Sequence, residues 1–251
     1  MMFVIWRLKI DQNNMRRLAP RNYPDFREDL LFDFTARDSA AFLDESEYAE
    51  TLTEGGSPRR ENDDSLGEHP VASMSGSDYF AIAHRDDLST VPLTLCMLVR
   101  WNDLPSNLGN WTDIFTKRAS TDSLYQWGLT ADNATDQIVG QIVDDANGFH
   151  EARSDDVVIP GVWYFIDFVI DESFVGYLYI NEALQIDTAN SGTMHGDGDE
   201  LRIGYPGYAG TSLDNRVAAC RVYGRILTTD EMKQVHDTLR SRFGILPIGV
   251  F

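Results

Sequence analysis

A chain of 251 residues with 43% hydrophobic and 11% aromatic residues can bury enough apolar surface to offset the entropy lost on folding, which excludes a disordered protein. Forty acidic against 21 basic residues give a formal net charge of -19, so the body repels nucleic acid and anionic membrane, and neither is expected as a partner. No apolar run approaches the roughly 18 residues needed to cross a bilayer.

Residues 1–28 hold six bases (Arg7, Lys9, Arg16, Arg17, Arg21, Arg27) against three acids (Asp11, Asp25, Glu28), together with Pro20 and Pro24 and no clear periodicity. A basic stretch on an acidic body marks an interaction tail, and Ile5, Trp6, Arg7, Arg16 and Arg17 are its expected partner-binding residues. The opening run MMFVIW is short, is cut by Arg7 and Lys9 and lacks a small-residue cleavage site, so no export signal is expected. Leu30 to Phe34 reads as a first strand of a body spanning 29–251. Residues 44–69 then bring nine acids, two arginines and a Gly-Gly-Ser-Pro turn, the composition of a long acidic surface loop.

From Pro70 onward, strand-like runs alternate with Gly, Asn, Asp and Pro clusters, as a sandwich requires. Leu93 to Trp101 and Val162 to Ile170 alternate cleanly and carry apolar groups on both faces, which places them centrally. Further strands are expected at Asp78 to Ala83, Asp113 to Lys117, Leu124 to Leu129, Gln137 to Val143, Gly176 to Asn181, Leu201 to Ile203 and Val217 to Tyr223. Thr228 with Glu231 three residues on is a capping box. Met232, Val235, Leu239 and Phe243 follow at helical spacing and Gly244 stops the helix, which is expected on the sandwich edge. Cys96 and Cys220 fall inside apolar strands and read as buried free thiols.

The order of these pieces resembles the laminin G-like, concanavalin A-like jelly roll. Ser77-Asp78-Tyr79-Phe80-Ala81-Ile82, Leu93 to Trp101, Ile114-Phe115-Thr116-Lys117 and Tyr125-Gln126-Trp127-Gly128-Leu129 are similar to successive strands of that family. Gly161-Val162-Trp163-Tyr164 resembles its Gly-x-Trp before a central strand. Leu178-Tyr179-Ile180-Asn181 resembles its hairpin, with Glu182 where glycine is usual. Val217 to Met232 resembles its last strand and helix start, with Ala218-Ala219 where the family often carries Asp-Glu. The resemblance, which runs from about Leu30 to Phe243, implies an all-β, two-sheet antiparallel jelly-roll sandwich; with the short C-terminal helix and the extended N-terminal arm read above, that is the expected fold. The fold hosts lectins and enzymes alike and so does not fix function.

The acid-rich Glu-x-Asp-x-x-Glu strand of glycosidases that share this fold is absent; the nearest group, Asp167 with Asp171 and Glu172, lacks the offsets. A binding protein without catalytic residues is expected. Calcium is a candidate ligand at His195-Gly196-Asp197-Gly198-Asp199-Glu200, through Asp197 and Asp199, with Asp132, Asn133 and Asp136 as a second set. The five histidines show no zinc spacing and read as isolated surface residues. Aromatics near strand ends, Tyr205, Tyr208 and Trp111, are candidates to stack on sugar rings, whereas Trp127 reads as core.

These features point first to a structural or attachment protein exposed on a particle such as a phage virion. There a laminin G-like head would be tethered through its basic arm to other chains of the assembly, with homo-oligomers among the partners. The second reading is a stand-alone glycan-binding, lectin-like module, calcium-assisted or not, and the third a glycan-cleaving enzyme.

Overall fold

The computed structural model describes residues 29–35, 44–46, 48–67, 69–109, 111–119, 125–188, 192–196, 198–205 and 213–245. The basic arm, including Ile5, Trp6, Arg7, Arg16 and Arg17, lies outside them.

Fifteen strands among these residues form two antiparallel sheets. They are β1 (Leu30–Thr35), β2 (Thr53–Gly55), β3 (Arg59–Asp63), β4 (His69–Gly76), β5 (Tyr79–Ile82), β6 (Leu93–Trp101), β7 (Thr112–Ala119) and β8 (Tyr125–Ala131). The remainder are β9 (Gln137–Val143), β10 (Phe149–Val157), β11 (Trp163–Ile170), β12 (Gly176–Ile180), β13 (Ala183–Asp187), β14 (Gly198–Tyr205) and β15 (Leu213–Tyr223). One sheet runs β13-β12-β11-β6-β15-β4-β3, and the long β15 shares one edge between β4 (at residues 213–217) and β1 (at residues 219–223). The other runs β10-β9-β8-β7-β14-β5-β2. This is the two-sheet sandwich expected, with β6 and β11 paired side by side at the centre.

Alternation sorts the side chains. Leu93, Leu95, Met97, Val99 and Trp101 of β6 face the inter-sheet core, where they meet Phe115, Trp127, Leu129 and Ile142 of the opposite sheet. Cys96 and Leu98 face away, into a second apolar layer with Phe165, Val169, Ala218, Ala219 and Tyr223. The helix α2 (Thr229–Phe243) covers that layer with Met232, Val235, Leu239 and Phe243, a short α1 (Pro105–Leu108) having preceded it in the chain. The helix therefore lies across the outer face of the eight-stranded sheet and not on the sandwich edge. An apolar outer face needs a cover, and the small side chains of Ala218 and Ala219 let a helix come close.

The capping box forms as read: Thr228 Oγ1 accepts from the Glu231 N–H, and Glu231 accepts from the Thr228 N–H at 2.8 Å. Gly244 closes the helix at φ 64°. Cys96 and Cys220 are buried and unbridged, Cys96 in the layer under the helix and Cys220 in the inter-sheet core.

Two further expectations are corrected. The acidic stretch 44–69 is not a structureless loop: it forms β2, β3 and a 3-10 turn at Asp64–Leu66. Its carboxylates organise it. Asp44, buried, accepts from the N–H groups of Asp33, Ser46 and Glu50, and Asp63, buried, pairs with Arg100 and Arg216. Nor are the histidines uniformly isolated and exposed, for His236 is only 1% exposed and bonded to Asp167 at 3.0 Å.

Candidate functional site

The outer face of the seven-stranded sheet carries a row in which most residues are polar. Because Phe80 and Ile82, Leu201 and Ile203, and Trp127 and Leu129 point into the core, the residues between them, Ala81, Arg202 and Gly128, point out. Cross-strand register then aligns Thr53, Ala81, Arg202, Thr116, Gly128, Gln141 and Glu151, one from each of β2, β5, β14, β7, β8, β9 and β10. At about 4.8 Å per strand the row is roughly 29 Å long. Gly128, buried and without a side chain, is the fifth of the seven, between Thr116 and Gln141.

The floor of this row is buried and incompletely bonded. Thr116 and Gln141 are each 1% exposed, yet Thr116 Oγ1 and Gln141 Oε1 have no hydrogen-bond partner. Gln141 uses its amide N–H on Glu151 Oε1 at 2.7 Å. Beside the row, Gln126 sits at a bulge of β8 and donates to the His195 carbonyl at 2.8 Å, which leaves its Oε1 unpartnered as well. Residues 192–196 cross this end of the sheet, with the His195 N–H on the Val143 carbonyl at 2.7 Å. Buried polar atoms left unpaired cost about 1–3 kcal/mol each, so each of the three needs an explanation.

Two arginines held by carboxylates belong to this face, Arg153 at one end of the row and Arg202 within it. At one end Arg153 pairs with Asp132 at 2.5 Å and Glu151 at 2.7 Å, its guanidinium 5.4 Å from the Trp111 ring. Arg202 pairs with Glu200 at 2.7 Å and lies 4.9 Å from the Tyr79 ring. Burial works against ionisation of Asp132, but bonds from Arg153, the Ala134 N–H and Thr135 outweigh it and hold the carboxyl below its usual range. Burial likewise opposes the Arg153 charge, and its bonds to Asp132 and Glu151 raise its pKa further above neutrality. These charges are fixed donors and acceptors, positioned before any ligand arrives.

The residues expected from sequence fare unevenly. Trp111 is half-buried beside the row's Arg153 end. Tyr205 ends β14 opposite Asp113, its side chain outside the described residues, as are Tyr208 and Asp197. Asp199 belongs to β14 and so to a strand rather than a free turn, and its side chain too is not described. The second calcium candidate is corrected: Asp132 is engaged by Arg153, Ala134 and Thr135, and Asp136 by Ser106. Among the described residues no three His, Cys, Asp or Glu side chains converge as a metal would require. Trp127 is buried in the core, its indole N–H on the Leu88 carbonyl. Asp167 and Asp171 are apart in role, the first buried against His236 and the second closing a turn through the Ser173 and Val175 N–H groups. Sequence reading missed Thr116, Gln141 and Arg202. Each is an unremarked polar residue in an alternating strand, and only the cross-strand register aligns them.

Residues 74–233 match the family model described as the concanavalin A-like lectin/glucanases superfamily. No curated protein matches the chain. Solved structures with a similar fold include binding domains of toxins. The binding domain of Paraclostridial mosquitocidal protein 1 superposes with a TM-score of 0.70 at 13% identity over 85% of this chain and 53% of its own. The receptor-binding domain of botulinum neurotoxin D follows at 0.69 and 12%, over 85% and 54%. A structure of botulinum neurotoxin type C, which depends on interaction with two ganglioside molecules to get into cells, matches at 0.67 and 11%, over 85% and 52%. The chain thus spans about half the length of these structures.

Proposed function

The chain belongs to the concanavalin A-like lectin/glucanases superfamily, and from that membership we propose that it is a glycan-binding module whose ligand lies along the outer face of the seven-stranded sheet. The observation that carries this reading is the pair of buried, unpartnered acceptors at Thr116 Oγ1 and Gln141 Oε1. Both atoms are covered in the folded chain, so a saccharide reaches them by displacing that cover, and its hydroxyls, which both donate and accept, then satisfy both atoms. Arg202 and Glu151 continue the row on either side, and Trp111 and Tyr79 offer apolar ring surface near its ends. The module acts by binding and not by turnover. A glycan microarray followed by calorimetry tests it: the protein retains defined oligosaccharides, and Thr116→Val and Gln141→Leu each weaken them about tenfold. Retention of no glycan, or affinities untouched by both substitutions, overturns the reading.

A second use of the same head, as the exposed part of a virion decoration or fibre subunit, is favoured by one feature, the contrast between basic residues 1–28 and the acidic body. Deleting residues 1–27 is then expected to leave a folded head that no longer joins its assembly. If assembly survives the deletion, the tether is elsewhere.

A further inference from the structure

Near the start of β15 the inter-sheet core takes in a polar side chain. Val217 of this strand lies in that core, so Asn215, two residues earlier, points into it as well. The Cα partners of Asn215 are Trp101 in β6 and Met74 in β4, and both are core residues. Antiparallel partners carry their side chains on one face with Cβ atoms about 4.5–5.5 Å apart, which sets the Asn215 amide between the indole and the thioether. A strand disfavours asparagine, and an apolar core disfavours it further.

Asn215 and Trp101 are both 0% exposed. Trp101 Nε1 and both amide atoms of Asn215, Nδ2 and Oδ1, nevertheless have no hydrogen-bond partner in the protein. The ring packed edge-on against Trp101 does not supply one: Tyr164, 5.8 Å away between centroids, turns its hydroxyl to the Ile159 N–H at 2.8 Å. From the opposite sheet Thr112 enters the same core beside its Cα partner Ala131, and its buried Oγ1 is also unbonded. Thr112 opens β7 and Trp101 ends β6, the strand before it, so the two stand at the same end of the sandwich. Asn102 pins that end: its N–H bonds the Asp214 carbonyl at 2.9 Å and its side-chain amide the Asp214 carboxylate at 2.7 Å.

We propose that the two sheets enclose a structural water here, one that accepts from the Trp101 N–H and donates to Asn215 Oδ1. The occupant has to do both, because the indole only donates and the amide oxygen only accepts. A cation has no use for the N–H, and an anion meets the lone pairs of Oδ1. Water is neutral and small, does both, and inside proteins commonly makes about three bonds to polar atoms otherwise left bare. Asn215 Nδ2 and Thr112 Oγ1 are the atoms at hand for the third. The site belongs to the core and does not depend on the glycan reading.

The test is a pair of 15N-edited NOESY and ROESY spectra of the full chain in water. The Trp101 indole proton and the Asn215 Nδ2 protons are expected to show cross-peaks to the water line that change sign between the two spectra, as a water that stays bound while the protein tumbles requires. Asn215→Leu, which has the same branching and no polar atom, is expected to remove most of the Trp101 cross-peak. Tyr164→Phe, which removes the exchangeable hydroxyl packed nearby, is expected to leave it. Absence of the cross-peaks, a sign that does not change, loss in Tyr164→Phe or survival in Asn215→Leu would each overturn the proposal. If Asn215→Leu does not fold, the Asn215 Nδ2 cross-peaks of the unsubstituted chain decide: present they support the water, absent they overturn it.

Discussion

Gln141 donates to Glu151 Oε1 at 2.7 Å and leaves its own carbonyl oxygen buried without a partner. A folded protein ordinarily pairs such an atom, since leaving it bare costs about 1–3 kcal/mol. Gln141→Leu keeps the volume and removes the unsatisfied oxygen, so stability is expected to stay level or rise by up to about 1 kcal/mol in urea denaturation. A loss of more than about 2 kcal/mol would mean that Gln141 serves the fold rather than a ligand.

Across the core, Phe168 of β11 lies against Gly140 of β9. A Cβ on Gly140 would sit 2.5 Å from the Phe168 ring carbons Cδ2 and Cε2, a contact that neither sheet can relieve locally. Gly140→Ala is expected to destabilise by about 1–3 kcal/mol. Adding Phe168→Leu should cost less than the sum of the two single changes, and strict additivity would refute the contact.

The helix cap titrates. A bond from Arg225, aided by the Thr228 N–H and hydroxyl, holds the Glu231 carboxyl at about 2 against an ordinary 4.5. Because the folded value lies below the unfolded one, the stabilisation is complete above about 4.5 and is lost as pH falls towards about 2. Glu231→Gln retains the capping geometry without the charge. The stability gap between the two proteins should therefore close over that window, and a gap that persists at the acid end would contradict the assignment.

How much of this was legible beforehand depended on whether a feature was local. The strand Leu93–Trp101 and the Thr228 cap were readable because alternation and a four-residue motif declare themselves within one element. The strand β3 was hidden because its acids Glu61 and Asp63, in sequence only part of a charged run, are paired by Arg100 and Arg216 from distant strands. The binding row was hidden for the same reason: Thr116 and Gln141 become neighbours of Gly128 only through register.

The thiols offer a check on the two-layer packing. Burial pushes both Cys96 and Cys220 well above the ordinary thiol range, with Asp167 adding to the shift at Cys96 and Asp33 at Cys220. Neither should react with a disulfide reagent at mildly alkaline pH except through global unfolding. Rapid modification of Cys96 alone would mean that α2 lifts away from the sheet.

The central claim is tested most directly by mapping amide and side-chain NMR shifts while a glycan retained on the array is titrated in. The account predicts that the largest changes run along Ala81, Arg202, Thr116, Gly128, Gln141 and Glu151, with the Gln141 side-chain amide among them. Shifts confined to the strand-connecting loops, with the Thr116 and Gln141 signals unmoved, would contradict it.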